Sequence, residues 1–294
     1  LLALGRLEAG KVQAIDGLKY ARLAKSVRQE IVKLTRLAHV LHLLGECSEA
    51  RSLFETAQLL ETIPDDSPQL QGREAALFAE LLIDQGHISE ASALIEATLP
   101  ATSAGASSLA TAHCLLCASK ALARRGHLRK ARGFLDLAYD AFEQTSYQQF
   151  LLMPMVAAID LRIACADRCT RSESANQHMS LACLGLETAA RTAEQLDMPL
   201  AKIDIMLLQA RVSIRQSKNV DALLEQSARL IEETGYELRL PEQYCLEAEV
   251  ELGRDRRRSA EKANAALTLA TKNGLTRLAR RARNIRKTAS CCKE

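Results

Sequence analysis

The residues best suited to metal chemistry are five in a short run, His113-Cys114-Leu115-Leu116-Cys117. Cys114 and Cys117 are three apart, and Cys165 and Cys169 are four apart, so each pair shares one face of a helix. Two neighbouring helices of this kind could bring four thiolates to one zinc ion. Against this, structural zinc sites draw their cysteines from turns, and cysteine also serves as a small buried apolar residue. The remaining cysteines, Cys47, Cys183, Cys245, Cys291 and Cys292, bring the total to an odd nine at irregular spacing. No metal site is therefore expected. A reduced, cytoplasmic compartment is the simplest account of so many thiols. His39 and His42 lie one turn apart without an accompanying carboxylate motif. The chain contains no GxSxG, no HExxH and no glycine-rich phosphate loop. Neither catalysis nor a cofactor is expected within this segment.

Charge is unevenly distributed. Residues 254–294 hold 13 Lys/Arg against 3 Asp/Glu, a net of +10, whereas residues 1–253 hold 26 against 33, a net of −7. The stretch from Leu275 to Lys287 reads as a basic amphipathic helix, with Leu275, Leu278, Ala279, Ala282 and Ile285 on one stripe. A capping helix at the end of a repeat array fits that pattern. Contact with nucleic acid is the alternative, although no aromatic residues accompany the charges for base stacking.

The elements that would position these residues are helical. Apolar residues make up 48% of the 294, aromatics only 3%, and there is no Trp, so the core must be built from Leu, Ala, Ile and Val. Gly and Pro, 13 and 6 residues, are too few for the turns of an all-β protein of this length. No apolar run of the ~20 residues that span a membrane is apparent, and no membrane contact is expected. Leu1 to Gly5 read as the middle of a helix, which predicts that these residues belong to a longer protein.

Three segments align without gaps: Leu44-Gly45-Glu46-Cys47-Ser48-Glu49-Ala50, Gln85-Gly86-His87-Ile88-Ser89-Glu90-Ala91 and Arg125-Gly126-His127-Leu128-Arg129-Lys130-Ala131. The glycines at 45, 86 and 126 fall 41 and 40 residues apart. Each is followed by Ala five residues on, then by a large residue (Phe54, Ile95, Leu135) and a small one (Ala57, Thr98, Ala138). The glycine ends a first helix in the left-handed conformation. The small residues, at i and i+7, let a second helix approach closely. Weaker copies are read at Ala14, Leu18 and Ala21, at Ala222 within 219–233, and at 242–252 with 259–271. A longer hairpin is expected over 148–168 and 176–195, joined by the polar Thr170-Arg171-Ser172-Glu173-Ser174. The step from Ala131 to Ala182 marks an insertion.

This pattern resembles the tetratricopeptide repeat family, in the long-period form found in sensor regions of bacterial signal-transduction ATPases and regulators. The resemblance implies an all-α, right-handed superhelical solenoid of antiparallel helical hairpins with a period of about 40 residues. It would cover residues 1–274, with residues 275–294 as a basic C-terminal capping helix and tail. It also implies a concave groove lined by the first helix of each pair. Aligning first helices on their terminal glycines places Arg73, Glu80 and Asp84 on the groove side, then His113, Lys120 and Arg124, then Asp204, Arg211 and Arg215. His39 and His42 fall in the same rows. The expected function is non-catalytic binding of a protein or peptide partner, acidic in character, as part of a larger signalling protein. The groove residues are His39, Arg73, Lys120, Arg124, Arg211 and Arg215. A structural scaffold subunit is the alternative, and nucleic-acid contact through the tail a second.

Overall fold

The computed structural model describes residues 4–61, 72–103, 108–145 and 148–290, and within them the chain is all helical. Fourteen α-helices follow in order: α1 (Leu7–Leu23), α2 (Val27–Leu43), α3 (Cys47–Glu61), α4 (Gly72–Gln85), α5 (Ile88–Ser103), α6 (Ser108–Arg125), α7 (Leu128–Glu143), α8 (Leu152–Arg168), α9 (Ser172–Gln195), α10 (Pro199–Arg215), α11 (Asp221–Thr234), α12 (Leu240–Glu251), α13 (Arg256–Lys272) and α14 (Thr276–Ser290). Short 3-10 turns at Gln148–Leu151 and Glu237–Arg239 precede α8 and α12. Consecutive helices pack on one another, and the even-numbered helices also touch in sequence from α2 to α14.

The hairpin chemistry is visible at each turn. Gly45, Gly86 and Gly126 have φ of 78°, 88° and 88°, the left-handed cap that a side chain would disfavour. The residues five positions on, Ala50, Ala91 and Ala131, have no exposed surface at all. The same small-large-small interval recurs at Ala182, Leu186 and Ala189, and small residues fill all three of its places at Ser259, Ala263 and Ala266, all buried. The turn glycine and the small residue five positions on also recur at the start of the chain. Gly5 (φ 66°) lies 40 residues before Gly45, and the buried Gly10 stands where later copies have Ala.

Several expectations need correction. Ala222 is exposed, and the buried series runs through Val220, Leu224 and Ser227 instead. The reason is that Ser217, with φ 54°, takes the glycine's role at the end of α10 and α11 starts only at Asp221, turning its face by two residues. The connection before α9 is shorter than the polar stretch suggested, because Ser172, Glu173 and Ser174 already belong to the helix. Glu173 in the first turn faces the positive end of the helix dipole, which favours that early start. One stretch, Gln148–Arg168, proves long and apolar enough to cross a membrane by length and composition. Its Leu152, Ile159 and Ile163 pack with α9 and α10, and its Leu161 packs with α6 and α7. The polar Asp160 and Arg162 lie near its middle.

The largest core joins the two ends of the chain. It combines residues of α2 to α6 with Ile203 and Leu207 of α10, Tyr236, Leu246, and Leu275, Leu278 and Ala279 at α14. The predicted apolar stripe of α14 is thus buried, against α12, α13 and α4. The turn glycines make this docking possible. A methyl group at Gly86 would run into the Thr276 hydroxyl, and one at Gly5 would lie 2.7 Å from Thr234 Cγ2 and 2.8 Å from Pro199 Cγ.

Candidate partner-binding surface

The even-numbered helices bury an apolar stripe against their partners and carry a second, polar stripe toward one another. On α4 and α6 that stripe holds Glu80, Asp84 and Lys120 at the predicted intervals. The Glu80 carboxylate accepts a hydrogen bond from Lys120 Nζ. Burial opposes ionisation of Glu80, but the ammonium of Lys120 outweighs it and holds the carboxyl down to about 2. Asp84 Oδ2 lies 3.2 Å from His42 Nε2.

Farther along, α8 inserts two carboxylates between the cations of its neighbours. Asp160 accepts from Arg211 Nη1 at 2.9 Å and lies 3.8 Å from Arg124 Nη1. Asp167 pairs with Arg215 at 2.5 Å and with Arg211 at 3.4 Å. Desolvation works against the Asp160 charge, yet Arg124 and Arg211 bring its carboxyl to about 2. The series continues with Arg239 to Asp204 at 2.6 Å. Arg281 then forks onto Glu249 with two bonds of 2.7 Å.

Of the residues predicted to line a groove, Lys120, Arg124, Arg211 and Arg215 share this continuous surface, each near a carboxylate. The expected electropositive rows are in fact an interleaved ladder, because α8 and α12 supply Asp160, Asp167, Glu242 and Glu249. The sequence alignment missed those four; for the two on α8 the reason is that the helix ends at Cys169 in an extended conformation and has no glycine on which to align it. Arg73 is exposed at the start of α4. His39 is half-buried on α2, and burial, reinforced by the charges of His42 and Arg73, pushes its pKa down to about 4. His113 does not reach the surface. It is buried edge-on against Phe142 and Phe150, with ring centres 5.2 and 6.0 Å away, and Nε2 without a hydrogen bond. Desolvation lowers its pKa to about 4 as well.

Cys114 and Cys117, of the run His113 to Cys117, are used in packing. Cys114 and Cys117 donate from Sγ to the carbonyls of Gly72 and Ala76 on α4, at 3.0 and 3.3 Å. Burial pushes the Cys114 thiol up to about 12. Among the described residues no group of three or more His, Cys, Asp or Glu is placed to hold a metal ion. A cavity of about 640 Å³ opens beside the ladder, between α8, α9 and the end of α10. Met179, Cys183 and Leu184 line one side, and Asp167, Arg215 and Gln216 the other. Its position follows from the 24-residue length of α9, which carries that helix past the end of α10.

No known protein family matches the chain. No curated protein is significantly similar to it.

Proposed function

We propose that this chain is a non-catalytic helical-repeat module of the tetratricopeptide type, a right-handed superhelical solenoid that binds a protein or peptide segment along its inner face. The observation that carries this reading is the polar stripe shared by α4, α6, α8, α10, α12 and α14. These six helices direct charged side chains to one surface that their apolar cores do not need. Half-buried ion pairs of this kind contribute little to stability, because desolvation offsets their attraction. Their value is as a row of hydrogen-bonding groups that a partner's backbone and acidic side chains can enter. The cavity beside Arg215 offers room for an apolar side chain at the same edge. A sensor role within a larger signalling protein follows from the repeat resemblance, and the free thiols of the described cysteines fit a reducing, cytoplasmic setting.

Site-specific photocrosslinking in the full-length protein tests the reading. A crosslinking residue at Arg73 or Arg215 should capture a defined partner, and one at Leu137 on the outside of α7 should not. Capture from Leu137 alone would place the binding surface elsewhere. One observation favours a second reading: Arg280, Arg283, Arg286 and Lys287 are exposed along α14. That basic strip suits phosphate contacts with nucleic acid, which would show as an affinity falling steeply with salt.

A further inference from the structure

Helix α1 carries an apolar row that its hairpin does not use. Five of the nine large apolar side chains exposed among the described residues, Leu4, Val12, Ile15, Tyr20 and Leu23, lie at the start of the chain. Apolar residues exposed singly are ordinary, but here they form a row. Glu8, Val12, Ile15, Lys19 and Leu23 follow one another at steps of three and four along α1, which puts them on one face. All five are exposed, Val12 at 58% and Leu23 at 78%. A different face, with Leu7, Gly10, Leu18 and Ala21, is the buried one, and α1 packs on α2. The repeat gives no reason for the exposed row. Counted from the turn glycine Gly5, Val12 and Ile15 stand seven and ten positions on. The same places hold Ser52 and Glu55 on α3, Ala93 and Glu96 on α5, and Gly133 and Asp136 on α7, all exposed. Of these four helices only α1 makes both large and apolar.

The row is also complementary to itself when turned end for end. An antiparallel copy places Val12 against Ile15 and Glu8 against Lys19, each twice. Leu23 then falls beside the start of the facing helix, where Leu4 is exposed. Glu8 forms no ion pair among the described residues, and Lys19 holds only Asp16, at 3.2 Å in an exposed pair that contributes little. We propose that a second copy of this chain docks here, with the two α1 helices antiparallel about a two-fold axis. Such an interface uses the same patch on both copies, so every contact occurs twice. Val12 and Ile15 leave water at its centre. The two Glu8–Lys19 pairs set the direction, since a parallel arrangement in register would put like charges side by side. One helix face per copy is a small interface, so the association belongs to the weak, transient class. The inner ladder lies on the even-numbered helices, and this surface is independent of the partner-binding reading.

Sedimentation velocity of the whole chain from about 1 to 100 µM tests it. The parent should pass from monomer to dimer over that range. Glu8→Lys and Lys19→Glu each set like charges across the axis, twice, and each should weaken association about tenfold. An equimolar mixture of the two variants restores both pairs in a mixed dimer, so it should associate like the parent. Glu8→Lys also gives up a favourable charge in the first turn of α1, and the mixture separates that local effect from the loss of a contact. Ile15→Lys should abolish the dimer, while Leu137→Lys, also at an exposed leucine but on α7, should leave it unchanged. A parent that stays monomeric throughout, as it would if a different protein or another segment of chain covered α1, overturns the proposal. Association that survives both charge reversals overturns it too, as does a mixture that associates no better than its two components.

Discussion

The two-residue shift in α11 yields a sharp comparison. Ala131 and Ala222 occupy equivalent places when the sequence is aligned by residue type, yet Ala131 is fully buried and Ala222 is exposed. Leucine adds three carbons at either site and is nearly as good a helix former as alanine, so intrinsic propensity cancels in the comparison. At Ala131 those carbons must enter the closest contact between α6 and α7, where Ser119 also donates a 2.7 Å hydrogen bond to the Ala131 carbonyl. Overpacking of this kind costs ~1–3 kcal/mol. For a chain of this size that corresponds to a fall of roughly 3–8 °C in melting temperature. At Ala222 the same carbons enter solvent and should change stability by less than about 0.5 kcal/mol. Thermal melts followed at 222 nm, with urea titrations to convert midpoints to free energies, measure both. Equal losses in Ala131→Leu and Ala222→Leu would refute the register of α11 described above. No loss in either would refute the close-contact role of the alanines altogether.

Three other outcomes are expected. Stability should decline as pH falls from about 6.5 to 4, because His113 is held near 4 when folded and titrates near 6.5 when unfolded, so the unfolded chain takes up the proton first. The His113 share of that loss is roughly 3 kcal/mol at most, and His39, also held near 4, adds to it; a urea midpoint that does not move between pH 7 and 5, or a slope unaffected by His113→Leu, would contradict it. Lys120→Met should destabilise the chain by ~1–3 kcal/mol by leaving Glu80 half-buried without its ammonium, while Lys120→Met/Glu80→Gln should recover most of that in the same titration. Ending the chain at Gly274 should raise hydrogen exchange in α4 as well as in α13, since α14 packs on both; protection of α4 that is unchanged would mean the ends do not support each other.

How much of this was legible in the sequence differs from element to element. The turns at Gly45, Gly86 and Gly126 could be read because a left-handed cap and a close helix contact each demand one residue type at one interval. Where other residues perform those tasks the signal disappears: Ser217 adopts the left-handed conformation without being glycine, and Gly10 fills the alanine slot after Gly5. Lys120 and Arg124 could be placed because they precede the recognisable turn at Gly126. Asp160 and Asp167 could not, as α8 ends without one, and so the neutralisation of Arg211 and Arg215 was hidden. The burial of the α14 stripe was foreseen, but not that α4, near the other end of the chain, would help to cover it. Contacts between helices so far apart in sequence follow from the packing of the whole chain, which no local pattern encodes.

The core shared by the two ends bears on how the molecule is made. In an open array each hairpin leans only on its neighbours and can order itself as soon as the next one appears. Here the turns at Gly45 and Gly86 are completed by Asn273 and Thr276, residues synthesised some two hundred positions later. Until those arrive, Leu81, Leu82 and their neighbours on α4 lack the Leu275 and Leu278 that share their core. The early hairpins must wait on the ribosome with that seam unsealed, a long-range closure that slows folding and leaves a nascent chain dependent on whatever shields the seam meanwhile.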